Sequence, residues 1–597
     1  MQLARFIEFE QAFDEPKSHW QSYLSGIDND TLLLAATHFL GRHELASNDY
    51  YSDMEQIFGP HNANASEKIF RRLAQLERQL NSKLKLVHPK SALRLFEYGF
   101  QRTDEPRTQS EPEVELSFFK AFAAQNDEYG AEQNTSVDEA IEQGVSKIAM
   151  LSLAGAHSDF DLVNVNTPRV LLMQLLKSVR LFQFLESDAT YYPLLTAFLQ
   201  QYQCPVWQDY MRRLAGLVKA IVYAEKPGRT EIHVPHDEEF EETCAFLDNF
   251  SVQAGEPLDK HDFLSLRSRP IYKQSEGIYG IIFPVFVAEI LHKALFFQFN
   301  ELVRHTKPKL LKGVDWRGAY CQTFSEDYLL GKLLDAIFEK RGLAWSGQRI
   351  KAGGWLAGRG DAEPDYYFRS GKRVLLFESK DVNIKKEAKA GQDFAGFLRE
   401  LRKKFYHGVD EDGSYKEGHD VGVLQLIHNI KRLLSPAKEL RFDQAYKVES
   451  LIIYPVLVVH DRLYNMPGLN ELVNSWFQQE LAKLGPQAVQ QVRPLVVIDI
   501  DTLLAYQDHF ASKKLVLWDV MEAYYRSIKP AKRTVRSQQE ASRLLLRTVD
   551  PFVSFLDDFA ARQGQSPIPA KQFAGLLAAM GAITEPTSSE PLPGDDA

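Results

Sequence analysis

Asp365 closes the stretch Gly360-Asp361-Ala362-Glu363-Pro364-Asp365, and an apolar run later comes Glu378-Ser379-Lys380. Val374-Leu375-Leu376-Phe377 reads as a strand, so Glu378 and Lys380, two apart at its end, project from one face. Tyr366-Tyr367-Phe368 reads as the preceding strand, with Ser370-Gly371-Lys372 as the turn and Gly371 suited to positive φ. Such a hairpin would bring Asp365 near Glu378. Two carboxylates converging at strand ends form a hard-oxygen site suited to Mg²⁺, which takes one or two carboxylates plus waters and substrate phosphate. A lysine beside that ion can orient an attacking water and offset the charge developing on phosphate. These are the parts that hydrolysis of a phosphodiester needs. The bland alternative is a surface hairpin whose Glu and Lys pair across solvent, worth only about 0–1 kcal/mol.

The charge around this motif is uneven. The chain carries −10 overall, yet Arg369 to Lys404 holds eleven Lys or Arg against five Asp or Glu, a local +6 that leaves −16 elsewhere. A basic island in an acidic chain can hold phosphates locally while the remainder avoids indiscriminate polyanion binding. Lys372, Arg373, Lys385, Lys386, Lys389, Arg402, Lys403 and Lys404 are the candidate nucleic-acid contacts. A solvated lysine-rich helix face is the competing reading of the same charges.

Upstream, Ser325 reads as the N-cap of a helix over Glu326 to Lys340, with Leu330, Leu333, Leu334, Ile337 and Phe338 on one stripe and Gly342 as its C-cap. Glu326 lies on that apolar stripe, where a carboxylate is costly unless paired or bound to metal; first-turn helix-dipole stabilisation is the alternative. With Pro364-Asp365 and Glu378-x-Lys380, the sequence resembles the PD-(D/E)xK nuclease superfamily, the restriction-endonuclease-like fold, over roughly residues 310–510. The resemblance implies a mixed central sheet flanked by helices, Asp365, Glu378 and Glu326 as ligands of Mg²⁺ (with Mn²⁺ able to substitute), and Lys380 as catalytic. It also implies a role for Gln425, in the predicted helix from Gly422 to Leu434, like the glutamine that RecB-like members place after the core. Asp361 or Glu363 could replace or supplement Asp365.

Other chemistries are absent. Neither Gly331-Lys332 nor Gly371-Lys372 has the surroundings of a Walker-type phosphate loop, and no Gly-x-Ser-x-Gly elbow occurs. Gly353, Gly354, Gly358 and Gly360 read as a loop rather than a dinucleotide cradle. Cys204, Cys244 and Cys321 have neither zinc-ligand spacing nor a disulfide framework. His460-Asp461 reads as a turn or a metal pair, Asp499 and Asp501 as a strand end that caps the next helix, and Leu295 to Phe299 as a buried aromatic helix rather than a base-stacking surface.

These pieces sit in an α+β multidomain chain of 597 residues: a helical N-terminal half, a restriction-endonuclease-like α/β core domain with a central mixed sheet, and a helical C-terminal extension. The expected divisions are 1–110, 111–305 (recognition of substrate or partner), 306–510 (nuclease-like), 511–585 (helices) and a disordered tail, 586–597. Arg102 to Pro112 and Glu225 to Glu242 read as linkers, and Thr167-Pro168 as the start of a helix. The apolar stretch Gly277 to Ala288 is too short to span a membrane, and the first sixteen residues lack a signal peptide's pattern, so a cytoplasmic protein is expected. The expected activity is metal-dependent hydrolysis of DNA, with defence against foreign DNA as an analogy of architecture alone. The alternatives are an inactive nucleic-acid-binding or scaffolding subunit and an RNA-cleaving enzyme. Expected partners are DNA and either a second copy of the chain or a separate ATPase.

Overall fold

The computed structural model describes residues 4–42, 49–80, 82–141, 146–163, 165–222, 230–253, 262–305, 315–354, 363–389, 393–409, 415–529 and 537–567, with 255 and 258. Asp361 and the tail 586–597 lie outside them.

A five-stranded sheet organises the carboxyl-terminal half. It consists of β1 (Leu343–Ser346), β2 (Tyr366–Ser370), β3 (Arg373–Lys380), β4 (Ile452–Val459) and β5 (Val496–Asp499), in the order β5-β4-β3-β2-β1. Strands β1, β2 and β3 are antiparallel neighbours, while β3, β4 and β5 run parallel, so the sheet is mixed. The near-continuous apolar runs of β3 and β4 follow from burial on both faces, as parallel strands require. Leu375, Phe377, Val456 and Val458 face one core; Val374, Leu376, Leu457 and Val459 face another. Each such side chain, fully buried, contributes about 1.5–3 kcal/mol.

Helices cover both faces. On the first lie α1 (Thr167–Ser187), α2 (Pro284–Leu291), α3 (Lys293–His305) and a π-helical segment, Ala319–Leu330, that runs into α4 (Gly331–Phe338). On the second lie α5 (Phe394–Phe405), α6 (Val423–Leu433) and α7 (Leu469–Lys483). The first core collects residues from Leu171 to Ala560, and a separate core unites Ile7 to Phe122 with Tyr272 and Phe286. Cores therefore do not break at 110, 305 or 510, because helices of the amino-terminal half supply the cover that the sheet needs.

Local differences from the sequence reading have local causes. Helix α1 is capped by Asn166, which accepts from the amide of Arg169, rather than by Thr167. The amino-terminal half also contains a four-stranded sheet, formed by Glu231–His233, Ile278–Ile281, Ile271–Ser275 and Ser251–Val252, so part of Glu225 to Glu242 is strand and not linker. Gly277 to Ala288 divides into a strand and the start of α2, and Glu289 beyond it is buried in an ion pair with Arg267. Within the carboxyl-terminal helices the chain breaks before Pro551 into Gln538–Arg547 and Phe552–Ala561, since proline lacks the N–H and restricts its predecessor.

Candidate active site at the end of strand β3

The hairpin β2–β3 turns through Gly371 at φ +58°. Tyr366 pairs with Phe377, so the residue before Tyr366 meets the residue after Phe377. Asp365 therefore abuts Glu378, and its Oδ2 accepts the backbone N–H of Ser379 at 2.5 Å. Lys380 donates from Nζ to Oε1 of Glu378 at 2.7 Å. Glu378 is 1% exposed and its Oε2 has no hydrogen-bond partner. A surface hairpin with a solvated ion pair is excluded by that burial; this pair is one whose desolvation must be offset by further partners.

Glu326 arrives from the other direction. Ser325 is not an N-cap, because the helix is already under way at Trp316 and continues through the π-helical turn into α4. The Ser325 hydroxyl instead donates to Oδ2 of Asp381 at 2.6 Å. Glu326 thus stands far from any helix start, which removes the first-turn dipole explanation. The wider π turn is a device found often at functional sites, and here its Glu326 side chain is hydrogen-bonded to Asp365. Gly342 is not a left-handed cap either: it is the place where the chain passes the Arg369 carbonyl, which a Cβ would meet at 2.3 Å.

The electrostatics follow from crowding acids in a dry place. Burial, then the neighbouring charge of Asp365, pushes Glu326 up to about 9 and Glu378 up to about 8. Burial raises Asp365 as well, against the pull of Lys380 and the Ser379 amide. Burial opposes the charge on Lys380, but Glu378 and Asp365 outweigh it and hold the ammonium charged. Glu326 and Asp365, joined by a hydrogen bond, need one proton between them; like charges so close cannot both stay ionised without a cation. Among the described residues no three His, Cys, Asp or Glu are placed so that they could hold a metal ion. A cleft of about 350 Å³ opens beside Glu326, lined also by Gln322, Asp327, Gln348, Lys351 and Glu363. Glu363 lies 4.0 Å from Lys351 on that cleft, and Asp365 keeps the inner position.

The remaining expectations divide. The side-chain oxygen of Gln425 accepts the amide of Gly422 at 2.8 Å, capping its own helix α6, and no described interaction joins it to the carboxylates or Lys380. Lys372 and Arg373 sit at the opposite end of β3 from Lys380, roughly 23 Å away by strand rise, and Arg373 pairs with Asp519. Lys389 is a correction: at 6% exposure it bonds Asp161 and Asp262, both at 2.7 Å, and has no face for a phosphate. Arg402 is exposed over the Trp476 ring, Lys403 is exposed, and Lys386 is half-buried. Lys385 lies 3.8 Å from Glu400. Lys404 is lowered by burial and by the nearby positive charges of Arg317, Lys403 and Lys385. The basic surface beyond β3 is thus Lys385, Lys403 and Lys404 joined by Arg317, which lies outside the basic run and gave no signal in it.

Asp461 pairs with Lys293 at 2.7 Å and caps Leu463, as a turn residue does. Asp499 caps the following helix through Thr502, and Asp501 pairs with Lys177, away from the acid cluster. Leu295 and Phe299 are buried, whereas Phe297 is half exposed. His460 is the surprise: its Nε2 hydrogen-bonds Oγ of Ser379 at 2.8 Å, directly behind the acids. Ser379, Asp381 and Ser325 were invisible as site residues because their partners lie far along the chain. The chain matches no family model, no curated protein and no solved structure.

Proposed function

We propose that the protein is a metal-dependent nuclease of the PD-(D/E)xK type that hydrolyses DNA phosphodiester bonds. The observation that carries this reading is the convergence of Glu326, Asp365, Glu378 and Lys380 at one end of a mixed sheet, with Glu326 hydrogen-bonded to Asp365 and Lys380 to Glu378. A divalent cation suits this donor set: Glu378 has a buried oxygen without a partner, and the raised acids repel one another for want of positive charge. Asp365, Glu378 and Glu326 would hold Mg²⁺ or Mn²⁺, which when bound supplies Lewis acidity and a more acidic water.

The protein's own groups have separable tasks. Asp365, with one oxygen clamped by the Ser379 amide, would offer its carboxylate to the ion in a fixed orientation. Lys380 holds its proton at Nζ, directs the attacking water by hydrogen bonding and offsets charge gathering on the phosphate oxygens. Arg317, Lys385, Lys403 and Lys404 provide positive charge for the backbone on either side. Asp365→Ala and Lys380→Ala should each abolish cleavage of labelled DNA in Mg²⁺ while leaving circular dichroism unchanged. Cleavage by Asp365→Ala at the wild-type rate would sink the assignment, and parallel DNA and RNA substrates decide which is cut.

One observation favours the inactive-subunit reading, namely that no three ligands among the described residues are preset as a shell. Calorimetric titration with Mn²⁺ separates the two: heat that disappears in Asp365→Ala supports the enzyme, and no heat in wild type supports the scaffold.

A further inference from the structure

Behind the acid cluster, on the opposite face of β3, runs a second set of polar contacts that no catalytic reading has used. Glu378 and Lys380 project to one side of the strand, so Ser379 between them projects to the other. Its hydroxyl meets Nε2 of His460 at 2.8 Å. His460 follows Val459, and Val459 pairs with Lys380 as the last register of the parallel β3–β4 ladder. The Ser379–His460 contact therefore continues the ladder by side chains where its backbone hydrogen bonds run out. Just past the end of β3, Asp381 accepts the Ser325 hydroxyl at 2.6 Å, and its Oδ2 lies 3.9 Å from Nδ1 of His460.

Each member of this chain is a sequence neighbour of a site residue. Ser325 precedes Glu326, Ser379 separates Glu378 from Lys380, and Asp381 follows Lys380. The Ser379 amide is also the donor that holds Asp365. Ser325 is 1% exposed and the His460 side chain 6%, so these contacts are shielded from water and hold their geometry. Ser325, Asp381 and His460 form one wall of a cavity of about 60 Å³ at the carboxyl ends of β3 and β4.

Resting on the nuclease reading above, we propose that His460, with Asp381 and Ser325, is a positioning residue for the acid cluster. His460 fixes the end of β3 against β4 and so sets Ser379 and, through its amide, Asp365. Asp381 ties the same strand end to the π turn through Ser325 and so sets the distance from Glu326 to Glu378 and Lys380. None of the three touches the reacting phosphate. Their effect is on kcat and metal affinity, not on substrate capture, which belongs to the basic surface.

The test compares wild type with His460→Ala, His460→Gln, Ser325→Ala and Asp381→Asn on DNA cleavage in Mn²⁺, with Mn²⁺ affinity by calorimetry and melting by circular dichroism. Outer-shell partners of metal sites typically contribute about 10- to 100-fold in activity or affinity. A kcat loss of that order in His460→Ala and Ser325→Ala is expected, with KM for DNA nearly unchanged. His460→Gln, which keeps a polar atom near the Nε2 position, should recover much of it, and added imidazole should partly restore His460→Ala. Wild-type kcat and Mn²⁺ affinity in folded His460→Ala and Ser325→Ala would overturn the proposal while leaving the nuclease reading intact. Equal loss in His460→Gln and His460→Ala with a collapse in melting temperature would overturn it as a folding effect. Wild-type protein that neither binds Mn²⁺ nor cuts DNA would remove the nuclease reading and the positioning role together.

Discussion

Lys380 donates to one oxygen of Glu378 at 2.7 Å, while the other oxygen of the same carboxylate is buried without a partner. Removing the ammonium strands an acid in the interior, and breaking a buried pair in this way costs about 3–5 kcal/mol. Lys380→Ala should therefore lose cleavage and, at pH 9, unfold at clearly lower urea than wild type. The double variant Glu378→Gln/Lys380→Met should regain most of that stability and none of the activity. Equal urea midpoints for wild type and Lys380→Ala at pH 9 would show that the pair is not buried as described.

The same acids predict how metal and pH act together. Glu326 and Glu378 are raised to about 9 and about 8 in the folded protein, against ordinary carboxylate values in the unfolded chain. Raised acids favour the fold when protonated, so their contribution is full below about pH 4.5 and is lost as pH climbs through 8 to 9. In EDTA, the melting temperature should fall across pH 7 to 9, and Glu326→Gln should flatten that fall. Mn²⁺ replaces the proton, so its stabilisation should grow with pH; a ligand at about a hundred times its Kd contributes about 2.7 kcal/mol. A Mn²⁺ shift in melting that is equal at pH 6 and pH 9 would contradict the shared-proton arrangement.

The basic surface can be separated from the buried lysine by salt. Lys403 is exposed and Lys404 half-buried beside Arg317 and Lys385, whereas Lys389 is locked between Asp161 and Asp262. Lys403→Ala and Arg317→Ala should each weaken DNA binding and lower the slope of log affinity against log salt by about 1. Lys389→Ala should leave the slope unchanged in whatever fraction remains folded. Fluorescence anisotropy across a salt series reads both.

How much of this could be read from the chain depends on the reach of each signal. Glu378 and Lys380 were legible because two residues on one strand face need only the period of a strand, and Asp365 because a hairpin register is local. Helical texture in the amino-terminal half was legible for the same reason, whereas the mixed sheet was expected only from the resemblance, since parallel pairing of β3 with β4 joins strands more than seventy residues apart. Lys389 was not: its partner Asp161 is 228 residues away, and a lysine in a basic run looks the same whether solvated or locked. The first-turn placement of Glu326 failed because Ser325 resembles a cap in isolation, while the helix had begun at Trp316. Gln425 matched a motif, but its carbonyl serves the Gly422 amide.

Two glycines of the sheet should respond differently to a single methyl group. Gly342 passes so close to Arg369 that a Cβ would lie 2.3 Å from its carbonyl oxygen and 3.0 Å from the Phe368 ring. Alanine there forces β1 away from β2, an overpacking cost of about 1–3 kcal/mol. Gly371 has open space but φ +58°, where alanine costs about 1–2 kcal/mol and asparagine, tolerant of that region, less. Urea unfolding should rank Gly342→Ala as the more damaging and Gly371→Asn as nearly neutral. The reverse ranking would mean that β1 and β2 are not in the register described.

The amino-terminal half meets the sheet domain through charges rather than through grease alone. Nη1 of Arg267 donates to both oxygens of Glu289 at 3.0 and 2.8 Å, and Nη2 donates to Asp161 at 2.8 Å. Lys389 and Arg462 join them from the sheet side, Arg462 at 3.2 Å from Glu289. Burial raises the cost of each carboxylate, but Arg267 and Lys389 hold Asp161 well below the usual carboxylate range, and Arg267 lowers Glu289 likewise. Groups depressed in this way stabilise the fold above their unfolded values and lose that contribution as pH falls through their folded ones. Arg267→Ala leaves two buried acids short of a partner and should cost about 3–5 kcal/mol, while Arg267→Lys, with one nitrogen where Nη1 and Nη2 serve Glu289 and Asp161 separately, should recover only part. Between pH 7 and pH 4 the gap should narrow, because the unpartnered acids of Arg267→Ala take protons first, while those of wild type stay ionised until well below the usual carboxylate range. Guanidinium titrations at pH 7 and pH 4 measure the two differences, and a gap that stays constant with pH would show that the network is not ionic.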